Sequence, residues 1–132
     1  MQHVHSYQQF ILESIRASEA YRDEDAVQTV IDGKRDLGFI TVRTSTMPVD
    51  DFWNALELNG LKATPVEGNQ YEAYIYYRPG VEDQVLELKS IASKYGGYLR
   101  WDATEEDSRR IGELLGYTTE DIDWYINKNY RS

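Results

Sequence analysis

The side chains best suited to chemistry fall at alternate positions of one stretch, Q-Y-E-A-Y-I-Y-Y-R at residues 70–78. Successive side chains of a strand point to opposite faces, so Glu72, Tyr74, Tyr76 and Arg78 share one face and Tyr71, Ala73, Ile75 and Tyr77 the other. Carboxylate, phenol and guanidinium together can anchor a small polar ligand, present a surface to a partner, or pass protons. Arg43, at the end of an earlier apolar stretch, falls beside them and adds a second guanidinium. Two tryptophans form a second candidate surface. Trp53 lies next to Phe52, on a helix whose inward positions are taken by Phe52, Ala55 and Leu56. Trp124 lies between Asp121 and Asp123 on one side and Tyr125 on the other, on a helix with Ile122, Tyr125 and Ile126 inward. Exposed tryptophan and tyrosine ringed by acids have the composition of a protein-binding hot spot. Burial at a helix boundary would account for the same residues.

Other chemistry is narrowed by what is missing. The sequence has no cysteine and two histidines, His3 and His5, at the N-terminal end. Thiolate catalysis, thiolate metal sites and disulfides are excluded, and a serine–histidine–acid triad would need one of those two histidines. No third ligand lies near the pair, so no metal and no cofactor is expected. Three acidic clusters, Asp23/Glu24/Asp25, Asp50/Asp51 and Glu105/Glu106/Asp107, all fall at expected helix starts, where the helix dipole accounts for them. Gly33-Lys34 and Gly96-Gly97 are helix stops and not phosphate cradles.

These residues need a scaffold, and the pattern supplies one. Residues 6–21 read as a helix, with Tyr7, Ile11 and Ile15 at spacing four. Residues 25–32 read as a short helix closed by Gly33. Residues 37–45 read as a strand, and a helix follows from Pro48 to about Asn59. Residues 62–66 form a second strand, which Pro65 confines to a sheet edge because proline cannot donate to the ladder. A turn at Glu67-Gly68-Asn69 makes a hairpin with residues 70–78. A helix over 81–95 and a last strand over 97–102 complete the middle. Helices over 104–115 and from 118 onward close the chain, each opened by a Thr-x-x-Asp cap.

The middle order, strand-helix-strand-strand-helix-strand, predicts an α+β ferredoxin-like fold with a split β-α-β core. The expectation is a four-stranded antiparallel sheet with two helices on one face. The division is a helical addition at 1–36, a core at 37–102 and a helical pair at 103–132, all in one domain of 132 residues. In that arrangement the 70–78 strand is central, and its Tyr74/Tyr76 face is left open or is covered by the terminal helices. An open face with aromatics on central strands is similar to RNA-recognition motifs, whose third strand reads K/R-G-F/Y-G/A-F-V-x-F/Y. Ala73, Tyr74, Ile75 and Tyr77 are similar to the second half of that pattern. Gln70, Tyr71 and Glu72 depart from the first half, removing its basic residue, its glycine and one stacking aromatic. The chain is not assigned to that family.

The formal net charge is −9, with six basic against ten acidic residues in 1–66 and eight against thirteen in 67–132. Such a field repels phosphate backbones, so direct nucleic-acid binding is disfavoured; it is compatible with a basic protein partner or with simple solubility, the commoner reason for such a charge. No apolar run reaches the roughly 20 residues that span a bilayer, so no membrane contact is expected. Together with the absent cysteine, this points to a cytoplasmic protein. The reading that follows is a small acidic, non-enzymatic interaction protein: a regulator, adaptor or inhibitor occupying a partner protein's surface, with anti-defence blocking as one variant. A ligand-binding or sensing domain using the sheet face is the alternative, and a cofactor-free acid/base enzyme the second alternative. A homodimer through the open face is compatible with each.

Overall fold

The computed structural model describes residues 22–99 and 103–130. The helix expected at 6–21, both histidines and Trp101 lie outside them. Three strands form one antiparallel sheet: β1 (Leu37–Thr41), β2 (Lys62–Val66) and β3 (Ala73–Tyr77), in the order β1-β3-β2. The aromatic stretch is therefore central. Tyr76 pairs with Gly38 of β1 and Ala63 of β2, and Tyr74 with Ile40 and Pro65.

Both faces of β3 are apolar, so both demand a cover, and five α-helices among the described residues supply it. On the Tyr74/Tyr76 face lie α1 (Asp23–Ile31) and α2 (Val49–Leu58). Val27, Val30, Phe52 and Leu56 close over Ile40 and Tyr76 there. On the opposite face lie α3 (Glu82–Ser93), α4 (Glu105–Leu114) and α5 (Thr119–Tyr130). Val85, Leu88, Ile111, Ile122 and Ile126 pack with Leu37, Ala73 and Ile75 in a second core.

This arrangement corrects the expected ferredoxin-like sheet. The sheet has three strands among the described residues, and the helices after β1 and β3 sit on opposite faces. The reason is local. The 70–78 stretch carries apolar side chains on both sides, so each face draws its own helices. The expected fourth strand at 97–102 does not form over its described part, residues 97–99. Gly96 and Gly97 both have positive φ, at 73° and 90°. The Gly97 backbone sits against the β2–β3 turn so closely that a Cβ on it would lie 2.5 Å from the Glu67 carbonyl oxygen. The Asn69 Nδ2 donates to the Gly97 carbonyl at 2.8 Å, which fixes that segment to the turn instead of the sheet.

Strand ends are also shorter than the pattern predicts. β1 stops at Thr41 and passes into a 3-10 turn, Val42–Thr44, closed by a 2.6 Å hydrogen bond between the Thr41 and Thr44 hydroxyls. β3 begins only at Ala73, because Glu72 adopts a left-handed backbone with φ 60°. The parity of the β1–β3 ladder follows from the bonds at its ends, Arg78 N to Asp36 O and Val42 N to Glu72 O. Even-numbered residues of β3 thus bond β1 and odd-numbered ones bond β2. In β2, Ala63 and Pro65 then face outward. The missing proline N–H lies on the free edge, which blunts it against pairing with another strand.

Candidate functional site

Tyr74 and Tyr76 are neighbours on one face and have different fates. Tyr76 is 2% exposed, under α1 and α2, with its ring edge-to-face against Phe52 at 5.7 Å. Burial raises its phenol far above the ordinary tyrosine range, and the nearby Asp23 carboxylate pushes the same way. Tyr74 lies nearer the margin, half-buried beneath α2. Its hydroxyl donates to the Glu72 Oε2 at 3.1 Å, and its ring meets Trp53 at 4.9 Å with the planes at 84°. Trp53 is itself edge-on to Phe52 at 4.9 Å and remains 38% exposed.

The helix explains why Trp53 stands there. In α2, Phe52 and Leu56 are the buried positions, and Trp53 is a hundred degrees round from Phe52, between core and solvent. Val49 and Glu57, one turn to either side, and Asp50, three residues back, share that exposed flank. The result is an aromatic corner of Trp53 and Tyr74 bordered by the Glu72 carboxylate. Glu72 is the only non-glycine residue with positive φ among the described residues. Its left-handed backbone costs about 1–2 kcal/mol. That conformation is held by its carbonyl accepting from Val42 N at 2.9 Å and its own N–H donating to Asn69 O at 3.4 Å.

The remaining sequence-predicted residues are scattered. Arg78 is half-buried and turns inward, its Nη1 donating to the Val30 carbonyl at 3.3 Å, so it closes the C-terminal end of α1. Arg43 is exposed in the 3-10 turn, with its backbone N–H donating to Tyr71 O at 3.3 Å. Trp124 is 43% exposed on the opposite layer, and the Lys128 Nζ sits 4.8 Å from its ring centroid. Asp123 is paired with Arg109 at 2.8 Å. The backbone N–H of Asp121 donates to Thr118 Oγ1 at 3.1 Å, so Asp121 stands in the cap of α5. The structure thus joins Trp53 to Tyr74 and Glu72. It buries Tyr76, turns Arg78 inward to α1, leaves Arg43 exposed in the turn whose Val42 N–H bonds the Glu72 carbonyl, and sets Trp124, Asp121 and Asp123 on the far layer.

Two polar assemblies escaped the sequence reading. Tyr95 donates to Asp107 Oδ2 at 2.7 Å and Lys94 Nζ reaches Asp107 Oδ1 at 3.2 Å. The tyrosine hydroxyl, then the lysine, hold the Asp107 carboxyl below its ordinary value. Tyr130 donates to the Ala103 carbonyl at 2.6 Å, so Ser108, 2.6 Å away, donates to the Tyr130 oxygen. The first ties the end of α3 to α4, and the second ties α4 to α5. A groove of about 330 Å³ lies along β2 and α3, with Lys89 over it. That lysine already bonds Thr64 at 3.3 Å and pairs with Glu67 at 3.6 Å. None of these had a local signal, because each joins residues brought together only by the packing of separate elements.

Chemically, the corner suits binding better than proton transfer. The Tyr74 phenol is raised above its ordinary value, by burial first and then by its bond to Glu72, which leaves it neutral far beyond neutral pH. Among the described residues there is no group of three histidine or acidic side chains placed to hold a metal ion. No helix among them is long and apolar enough to cross a membrane. The chain matches no protein-family model, no curated protein and no solved structure.

Proposed function

We propose that this is a non-enzymatic interaction protein, a regulator, adaptor or inhibitor that works by occupying the surface of a partner protein. The observation that carries this reading is the aromatic corner. Trp53 is held edge-on by Phe52 and Tyr74 and still presents more than a third of its surface to solvent. A rigid, partly exposed tryptophan beside a tyrosine is the side-chain type that dominates binding energy in protein interfaces, because it offers area at little entropic cost. Val49, 43% exposed one turn away, extends the same apolar ridge. The net charge of −9 favours a basic partner surface, including that of a nucleic-acid-binding protein, whose blocking is one form the activity can take.

The experiment is affinity capture from the native host at physiological salt with the wild type and the Trp53→Ala variant. The expected result is one stoichiometric protein recovered by the wild type and lost by the variant. No stoichiometric protein, or one retained equally by the variant, overturns the reading.

A further inference from the structure

We propose that the corner of Trp53, Tyr74 and Glu72 receives a cationic side chain, arginine or lysine, from a basic segment of the partner. The inference rests on the interaction reading above and names what that surface recognises. Three observations converge on a cation. The first is ring geometry: Trp53 and Tyr74 meet at 4.9 Å with planes at 84°, so two π-systems stand perpendicular at the surface. That contact fixes the indole in place, and the 38% of Trp53 that stays exposed offers ring surface to which the quadrupole attracts a cation.

The second is the contrast with Trp124. That exposed tryptophan is satisfied within the chain, since Lys128 lies 4.8 Å from its ring centroid. Among the described residues no lysine or arginine lies over Trp53. Its helical neighbours Asp50 and Glu57 are acidic instead. Acidic helical neighbours, and no lysine or arginine over the ring among the described residues, suit that position to a cation from outside.

The third is Glu72. Its carboxylate stands at the rim through the 3.1 Å bond from Tyr74, on a backbone with φ 60° that glycine or asparagine would adopt with less strain. A carboxylate kept at a strained position beside two aromatic rings supplies the counter-charge that a guanidinium or ammonium needs. Arginine fits best, because its planar group can lie on an indole while its N–H groups reach a carboxylate.

The probe is a twelve-residue arginine/glycine peptide titrated into the full chain, followed by the indole N–H signals of the tryptophans in NMR. The Trp53 signal is expected to shift saturably and the Trp124 signal to stay in place. Trp53→Ala should weaken the peptide at least ten-fold, and Glu72→Gly three- to ten-fold. Asp83→Asn, which removes the same charge at the exposed start of α3, should change it less than two-fold. Equal weakening by Asp83→Asn and Glu72→Gly would mean diffuse attraction to an acidic surface and would overturn the proposal. So would a Trp53 signal that does not move. If the peptide fails while Trp53→Ala still loses the captured partner, the cation inference falls and the interaction reading stands. If Trp53→Ala keeps that partner, the interaction reading itself falls.

Discussion

Replacing Gly38 by alanine tests whether the tyrosine face is closed as described. Gly38 pairs with Tyr76 across the β1–β3 ladder. A Cβ built there would lie 2.4 Å from Tyr76 Cζ, 2.4 Å from its hydroxyl oxygen and 2.7 Å from Cε2. Carbon atoms attract best at about 3.5–4.0 Å, so all three contacts overlap by about an ångström or more. The ring has little room to withdraw, because it is 2% exposed and braced edge-to-face on Phe52 at 5.7 Å. Overpacking a filled core costs about 1–3 kcal/mol. Two overlapping ring carbons and the hydroxyl oxygen put Gly38→Ala at the upper end, about 3 kcal/mol. At about 3–5 °C per kcal/mol for a domain of this size, Tm should fall by roughly 9–15 °C. Backbone propensity alone predicts the opposite sign, because glycine inside a strand is about 0.5–1 kcal/mol worse than alanine. Thermal and urea unfolding followed by circular dichroism reads the difference. Tyr76→Leu removes the clashing ring edge, so the double variant should be less damaged than the sum of the two singles by about 1–3 kcal/mol. An unchanged or higher Tm for Gly38→Ala, or strict additivity, would refute this packing.

Other variants probe the rest of the account. Glu72→Gly should leave stability unchanged or raise it by about 0.5–1 kcal/mol, since relief of the left-handed strain outweighs a partly exposed hydrogen bond; urea unfolding measures it, and a clear loss would contradict the strain. Asp107 is held below its ordinary value of 3.8 by Tyr95 first and then Lys94. A depressed carboxyl stabilises the fold above its ordinary value and loses that contribution as pH falls through the folded one, so Asp107→Asn should flatten the acid limb of stability against pH. Tyr76 and Tyr117 are raised by burial above the ordinary value of 10.0. Their contribution is complete below that pH and is lost as pH rises above it, so both should ionise only with unfolding in an alkaline absorbance titration.

Much of the scaffold was legible because it is local. The proline and paired aspartates at 48–51 mark the start of α2, and Thr104 and Thr118 cap α4 and α5 through bonds to Asp107 N and Asp121 N. Pro65 places β2 at an edge, and the alternation of residues 73–77 marks a central strand. What was not legible is which face each helix takes. With Tyr74 and Tyr76 on one side and Ala73, Ile75 and Tyr77 on the other, the strand tolerates either assignment, and only packing of the whole chain decides it. The Gly96-Gly97 pair reads as a helix stop followed by a strand. Its second role, a close backbone contact with Glu67, depends on a turn about thirty residues earlier. At the candidate site, Trp53 was legible as a boundary residue from its place beside Phe52. Its contact with Tyr74 was not, since that requires α2 to lie over the β2 side of the sheet.

The most direct test of the account is the affinity of the captured partner, once purified, for tryptophan variants of the full chain. An interface centred on the aromatic corner predicts that Trp53→Ala costs at least about 2 kcal/mol, roughly a thirty-fold rise in Kd, with Tm within a few degrees of the wild type. Trp124→Ala, whose ring already carries Lys128, should change Kd less than about three-fold, under about 0.7 kcal/mol. A Kd unchanged by Trp53→Ala, or more sensitive to Trp124→Ala, would contradict it.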